Sequence, residues 1–522
     1  MTAQNTQMAL IQTPNKEKEK GKINDDLIRV LRERITSEIV IVLTGPICSG
    51  LSTISEKLDS NLKHYHYETK KIKVSEIISR FSKQYSIPVD STSAFTRIRS
   101  LQKLGNEIRK NHKPYALSNL VVLEITKARD EHTEQNSLES DEKHNLRMAY
   151  IVDSLKNPQE IILLRQIYGN SLFVVGVDCP YDDARKRAKN EKNIESKEFD
   201  EVASIDRDES DITYGQHTLK AIMEADYFIR NDENSNRTSL EDQIKRFLDL
   251  VTSAKIITPN SHETSMYMAY AASARSACLS RQVGAIIVDE FGSVISTGCN
   301  DVPVFGGGVY NSDSKKDLRC FNKGKCYNDH HKKIIYDEIS TALINANLID
   351  KKAKEEIIKV LTKSKIKQLI EFSRAVHAEM NAIVNVSRNK NASTSNARMY
   401  CTTFPCHSCA RHIVAAGIME VIYIEPYAKS LATELHDDSI TTNSNDLNKV
   451  RFIPYQGVSP SRYLNFFEMK SERKNKDGKL NQIDVKNSYR KDSLRLDDFL
   501  ENEKKVIKES ENLIKIFTEN QN

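Results

Sequence analysis

The sequence predicts two α/β units in tandem, a doubly wound parallel sheet followed by an α/β/α sandwich with a mixed sheet. Three observations carry this. A chain of 522 residues is too long for one core and suggests two to four domains at roughly 150 residues each. Up to about residue 250, short continuous apolar runs alternate with helical patterns, as a parallel sheet covered on both faces requires. After IITPN (256–260) the pattern restarts, with a helix feeding a hairpin and then further strands and helices.

In chain order, residues 1–24 are polar, include KEKEKGK and read as a flexible tail. Residues 25–255 form the first domain, with strands expected at IVIVLTG (39–45), AYIVDSL (149–155), LFVVGVD (172–178) and DYFIRN (226–231). Residues 256–470 form the second: the helix MYMAYAASARSACL, the hairpin VGAIIV/SVISTG around a DEFG turn, then ARMYCTT, a helix, EVIYIE and VRFIP. An insertion over 306–372 is Gly-, Asn- and Lys-rich at first and then helical, and its stretch 351–367 reads as a lysine-rich helix. Residues 471–522 are a polar linker and an amphipathic helix. Its apolar stripe, Leu496, Phe499, Leu500, Val506, Ile507, Leu513, Ile514 and Phe517, must pack on its own chain or on a second subunit.

Composition narrows the function. Hydrophobic residues at 39% and charged residues at 29% support folded cores and exclude wholesale disorder. Lys+Arg 77 against Asp+Glu 72 leaves a net +5, so contact with nucleic acid would need a local basic patch. Nine cysteines, three of them at 401, 406 and 409, suit metal ligation in a reducing compartment better than a disulfide framework. The N-terminus lacks an apolar signal core and no run of 18 apolar residues occurs, so a cytoplasmic protein without membrane contact is expected.

The residues that carry chemistry are His377-Ala378-Glu379 and, farther on, Pro405-Cys406-His407-Ser408-Cys409. One imidazole and two thiolates hold a tetrahedral Zn²⁺ and leave its fourth position open, the arrangement of a catalytic site. H-x-E…P-C-x-x-C is the zinc-deaminase pattern, in which the metal activates water toward C4 of cytosine. Glu379, two residues from a ligand, is placed to shuttle protons rather than to bind metal. Pro405 suits a first helical turn, and the helix start helps keep Cys406 and Cys409 ionised. His407 and His412 are read as spectators.

Residues 262–470 resemble the deoxycytidylate deaminase family. YMAYAASARSACLSRQVGAIIVDEFGSVISTGCND, HAEMNAI and TTFPCHSCARHIVAAGI follow that family's order and spacing. With the first half, and with YIEPYAKSLATELHDD and FIPYQGVSPSRY, the chain resembles the bacterial anti-phage dCTP/dCMP deaminases. The family resemblance implies a cytidine-deaminase-like sandwich, zinc, assembly into homo-oligomers and conversion of free deoxycytidine nucleotides to deoxyuridine nucleotides. It also implies that Asn300 contacts the deoxyribose. The narrower resemblance implies drainage of the dCTP pool during infection and restraint beforehand, in some members by a small RNA. A phosphorylated substrate needs cations, and Arg275, Arg281 and Lys429 are the nearest candidates, with surface ion pairs as the competing reading. Cys320, Cys326, His330 and His331 are candidates for a second, structural zinc, since related deaminases place one in a comparable insertion.

In the first half, Gly45-Pro-Ile-Cys-Ser49-Gly50-Leu51-Ser52-Thr53 follows a strand and precedes a helix, the context of a phosphate-cradling P-loop. Leu51 stands where the phosphate-neutralising Lys belongs, which argues against working kinase chemistry. Asp153 sits where an acid would hold Mg²⁺ through Ser52. Arg185, Arg187 and Arg207 lie in a segment that resembles the lid of nucleoside monophosphate kinases. This half is expected to bind a nucleotide (ATP, GTP or a deoxynucleotide, with Mg²⁺) as a regulator, or to act as a scaffold. Two rival functions remain open, an RNA or single-stranded DNA editing deaminase and a nucleotide-sensing regulator with a vestigial deaminase. The absence of Trp and an aromatic content of 7% disfavour the first, and the intact His377, Glu379, Cys406 and Cys409 the second.

Overall fold

Every residue of the run Ile39–Thr44 is buried, and alternate side chains enter different cores. Val40 and Val42 join one apolar cluster, and Ile39, Ile41 and Leu43 join another on the opposite face. That period of two is what a strand packed on both faces produces. The computed structural model describes residues 35–135, 147–209, 212–232, 239–389, 391–427, 429–469, 472–488, 490 and 496–519. The expected tail, 1–24, lies outside the described residues.

The first sheet contains β1 (Ile39–Thr44), β2 (Glu68–Lys73), β3 (Met148–Asp153), β4 (Leu172–Asp178) and β5 (Tyr227–Arg230). All the pairings among them are parallel. The second contains β6 (Gly284–Val288), β7 (Val294–Cys299), β8 (Arg398–Thr403), β9 (Glu420–Glu425), β10 (Ile440–Thr441) and β11 (Val450–Pro454), in the order β10-β11-β9-β8-β6-β7. β6 is antiparallel to both neighbours and the remaining pairings are parallel, giving the mixed sheet expected from the sequence. β12 (Gly457–Val458) returns to the first sheet and pairs antiparallel with β5, which sets the first sheet's order as β12-β5-β4-β1-β3-β2.

The helices that shape the sites and the join between the halves are α1 (Leu51–Leu62), α2 (Ala94–Asn111), α3 (Ala116–Gln135), α4 (Pro158–Tyr168), α5 (Ser196–Arg207), α6 (Ser261–Ser273), α7 (Tyr327–Asn345), α8 (Lys354–Leu361), α9 (Ala378–Ser387), α10 (His407–Ala415), α11 (Leu496–Glu509) and α12 (Glu511–Glu519). The stretch 351–367 is not one lysine-rich helix. A 3₁₀ turn at Lys351–Ala353, α8 and a second 3₁₀ turn at Lys365–Gln368 divide it, and none of these pieces buries a residue. Nothing therefore favours continuation past Thr362 over local turns capped by Ser364, whose hydroxyl accepts from the Ile366 N–H.

The halves share apolar material. Met266 and Ala269 of α6, Ile286 and Val288 of β6, Tyr400 of β8 and Ile422 of β9 belong to the same cluster as the α3 and β3 side chains of the first half. Buried Glu263 adds a polar tie, accepting from Arg246 at 2.5 Å, from the Val458 N–H at 3.1 Å and from the Asn260 N–H at 2.8 Å. The C-terminal stripe packs on its own chain. Phe499, Leu513 and Phe517 are buried in that same cluster, with Leu500, Val506, Ile507 and Ile514 against it; the Leu496 side chain lies outside the described residues.

A buried ion group fixes this strap. Arg129 of α3 donates to Glu38 at 2.9 Å and to Glu503 of α11 at 2.7 Å, and the Tyr168 hydroxyl donates to Glu503 at 2.8 Å. Removing one partner of a buried charge leaves uncompensated desolvation. Glu503→Ala should therefore destabilise the protein by about 3–5 kcal/mol, measured by chemical denaturation. A change within about 0.5 kcal/mol, the usual range for a surface substitution, would mean that the strap is only laid on the surface.

Candidate active site

Two helix starts converge on one point. His377 is the N-cap of α9 and Cys406 the N-cap of α10, with Cys409 in the first turn of α10. Pro405 precedes the cap and lies outside the helix, since the Cys406 side chain takes the capping position and accepts from the Cys409 N–H at 3.4 Å. His377 Nδ1 lies 3.3 Å from Cys406 Sγ and 3.4 Å from Cys409 Sγ. A tetrahedral zinc with bonds of about 2.0 Å to nitrogen and 2.3 Å to sulfur separates those atoms by about 3.5 Å, so the donor set fits that ion. Among the described residues these three form the one group of three or more potential ligands within 4.8 Å of one another. Neither His407 nor His412 belongs to it.

α9 is held in place by its backbone and amides. A Cβ on Gly298 of β7 would lie 2.2 Å from the Ala378 carbonyl oxygen and 2.5 Å from the Ala382 nitrogen, so only glycine admits the helix at this distance. Asn381 accepts from the Cys299 N–H at 3.1 Å, Asn385 donates to the Thr297 carbonyl at 3.0 Å, and the Ser296 hydroxyl donates to the Ala382 carbonyl at 2.7 Å. These contacts orient the first turn, where Glu379 is buried beside His377.

The electrostatics of the cluster separate its members. The hydrogen bond to Cys406 raises His377 to about 9 against the opposing effect of burial. The hydrogen bond with Cys409, ahead of that with His377, pushes Cys406 down to about 4. Cys409 moves the other way, because its proton is held on the Cys406 sulfur and its surroundings are dry. Burial pushes the Glu379 carboxyl up, with the neighbouring His377 opposing it. A carboxyl drawn toward neutrality is suited to taking and returning a proton.

The cluster opens into a cavity of about 270 Å³. Its lining among the described residues has the cations Arg281, Lys332, Lys367, Arg374 and Lys429, and Glu379 as the single carboxylate. Arg281 and Lys429 were legible in the sequence, whereas Lys332, Lys367 and Arg374 come from the insertion or its edge and were not. Arg281 is also paired with Glu425 at 3.2 Å. Arg275 is not part of the wall; it donates to the Thr297 hydroxyl at 3.2 Å, on the exposed side of β7. Asn300 lines the cavity, but it accepts from the Val283 N–H at 2.7 Å and donates to the Arg281 carbonyl at 2.9 Å, and so holds the loop before β6.

Cys320, Cys326, His330 and His331 do not assemble into a second ligand group among the described residues. Cys326 caps α7, so His330 and His331 fall on successive helical positions about 100° apart and cannot face one centre easily. His331 stacks on Phe372 at 5.3 Å, while His330 is exposed and pushed down by Lys325. Cys320 and Cys326 line the cavity beside His377 and Cys406 instead.

In the first half, Ser49, Gly50, Ser52, Thr53 and Asp153 line a single cleft of about 310 Å³, with Gly45 at the root of the loop. Burial pushes the Asp153 carboxyl up, and Lys156 pulls it down. Arg185, Arg187 and Arg207 do not line this cleft. Arg185 is drawn to Asp200 at 3.2 Å, and Arg187 donates to the Asn231 carbonyl at 3.3 Å.

Residues 259–425 match the family model for the cytidine and deoxycytidylate deaminase zinc-binding region. The deoxycytidylate deaminase of Enterobacteria phage T2 is 34% identical over 169 residues, which cover 32% of this chain and 81% of that protein. The chain therefore belongs to the cytidine and deoxycytidylate deaminase family. The crystal structure of the dCMP deaminase from cyanophage S-TIM5 in apo form is similar over 38% of this chain and all (100%) of that one, at 20% identity and a TM-score of 0.22. The structure of a shikimate kinase from Acinetobacter baumannii in complex with shikimate matches 42% of this chain and 96% of its own, at 14% identity and a TM-score of 0.24. Scores this low carry no argument. No helix among the described residues is long and apolar enough to cross a membrane.

Gly298→Ala should push α9 away from β7, lowering stability by about 1–3 kcal/mol and reducing zinc bound per chain, read by denaturation and metal analysis. Full metal content with wild-type stability would show that the contact does not set the site.

Proposed function

We propose that the chain is a zinc-dependent hydrolase that deaminates deoxycytidine nucleotides, dCMP and dCTP, to deoxyuridine nucleotides and ammonia. The observation that carries this reading is the convergence of His377, Cys406 and Cys409 beside buried Glu379 in a cation-lined cavity. Membership of the family and the name of the phage T2 relative support it. His377, Cys406 and Cys409 would hold the metal, which when bound supplies a Lewis acid that makes water nucleophilic near neutral pH.

The rest falls to the chain's own residues. Glu379 accepts a proton from the attacking water, delivers it to ring N3 and then moves a proton to the amino nitrogen, so that the C4–N bond breaks and ammonia leaves with oxygen retained at C4. Burial keeps this carboxyl away from bulk solvent, so the proton returns to the substrate. Asn300, although engaged with its loop, keeps a second amide hydrogen for the sugar side of the cavity. Among the described residues Arg281 shares its charge with Glu425 and Lys332 with Asp329, which leaves Lys367, Arg374 and Lys429 without a carboxylate partner, more cations than the twofold charge of a monophosphate uses. This supports dCTP as a substrate.

The reading extends to the first half as a nucleotide-binding regulator and to the cell as depletion of dCTP in anti-phage defence. Homo-oligomers and a restraining small RNA belong to the same proposal. Its support is the order of motifs across both halves together with the cleft at the glycine loop.

Glu379→Gln should retain zinc and fold while deamination falls at least ~10²-fold, followed as uracil-containing product by mass. Ammonia released from dCMP and dCTP at the parental rate would refute the proton-shuttle role. Lys367→Ala with Arg374→Ala should raise KM for dCTP about tenfold and for dCMP by a smaller factor, in steady-state kinetics. Equal changes for both would place the outer phosphates elsewhere.

A further inference from the structure

The glycine loop of the first half lacks its lysine, yet a lysine stands beside it. Lys156, in the segment between β3 and α4, places its Nζ 2.5 Å from the Gly45 carbonyl oxygen and 2.9 Å from Asp206 Oδ1. The other oxygen of Asp206, Oδ2, accepts from the Ile47 N–H at 2.9 Å. Asp206 sits in α5 with only 3% of its surface exposed. A carboxylate of the protein's own thus occupies a backbone donor of the loop and pairs with the nearest cation, the two contacts that a phosphate oxygen seeks in such a place.

The surroundings also point to an anion. Leu51, Ser52 and Thr53 open α1, so their N–H groups have no helical acceptor. Gly50 has φ 87°, and a Cβ there would lie 2.2 Å from Asn231 Nδ2, which keeps the loop free of side chain at its tightest bend. Among the described residues, two polar atoms in the cleft wall have no partner. They are Ser49 Oγ, in a residue 1% exposed, and Gln102 Oε1, in a residue 4% exposed. A buried hydroxyl and a buried amide oxygen left without partners are costly, and a ligand whose phosphate oxygens accept from the hydroxyl, with water or Mg²⁺ for the amide oxygen, relieves that.

We infer that Lys156 supplies the phosphate-neutralising cation missing from position 51, and that Asp206 is a built-in occupant which the phosphates of a nucleoside polyphosphate displace from Ile47 and Lys156. This rests on the reading of the loop as a nucleotide site and adds to it a cation from another segment and a competing carboxylate. Displacement requires α5 to yield or Asp206 to change rotamer, and in the first case binding at the loop is coupled to the position of α5. Empty, the site is neutralised internally; filled, Lys156 serves the ligand.

The test is calorimetric titration of the full chain with Mg-ATP and, separately, with inorganic pyrophosphate. Asp206→Asn keeps an acceptor for the Ile47 N–H and removes the competing charge, so both probes should bind at least tenfold more tightly than to wild type. Lys156→Met should weaken binding at least tenfold, alone and in the Asp206→Asn background, and Lys156→Arg should restore most of the loss. The inference is overturned if Asp206→Asn leaves both affinities unchanged, or if Lys156→Met in that background binds as tightly as Asp206→Asn alone. Binding that ignores both positions but is lost in Gly50→Ala overturns this inference and leaves the loop as a nucleotide site. Binding that survives Gly50→Ala as well, or no binding to wild type or Asp206→Asn, overturns both.

Discussion

The approach of α9 to β7 is the constraint on which the catalytic half depends. Gly298 allows the helix backbone to rest directly on the strand, and Asn381, Asn385 and Ser296 tie the two together. Because His377 caps that helix and Glu379 lies in its first turn, fixing the helix fixes the candidate ligand and the proposed proton carrier at once. The two sulfurs come from the start of α10, where the Cys409 N–H and the helix dipole favour Cys406 as thiolate, while Cys409 moves the other way. A metal centre assembled from two helix starts needs little adjustment on binding its ion, which is the condition for a geometry rigid enough to orient water and a base.

The two halves are bound together more tightly than a linker would bind them. A single apolar cluster runs from α3 and β3 through α6 to β6, β8 and β9. Glu263 ties α6 to β12, which completes the edge of the first sheet, and the C-terminal helices close over α3 and α4 through the Arg129 group. α5 itself packs in a separate cluster through Phe199, beside Ile47 and Phe95, while the sheet that carries the glycine loop shares core side chains with the second sheet. Packed side chains of this kind are one physical route by which coupling between distant sites is carried.

Much of this was legible in the residues. The strands β1, β3, β4 and β5 announce themselves as continuous apolar runs because both faces are covered, and LFVVGVD coincides with β4 at Leu172–Asp178. β2 was not seen, since ETKKIK is an edge strand that buries only Ile72 and carries lysines along its open side. Within the site, the grouping of His377, Cys406 and Cys409 beside Glu379 was legible because their spacing is that of a zinc-deaminase pattern. Lys332, Lys367 and Arg374 were not, because they reach the cavity from an insertion whose path no local pattern predicts. Lys156 and Asp206 were hidden for a similar reason, being 111 and 159 positions from the loop residues they touch.

The most direct test of the account is the coordination sphere of the metal in the purified full-length protein, read by zinc K-edge X-ray absorption. The account predicts one zinc per chain with two sulfurs at about 2.3 Å, one imidazole nitrogen and one exchangeable light atom at about 2.0 Å. A third sulfur, a second imidazole closing the sphere, or protein free of zinc after expression with ample metal would contradict it.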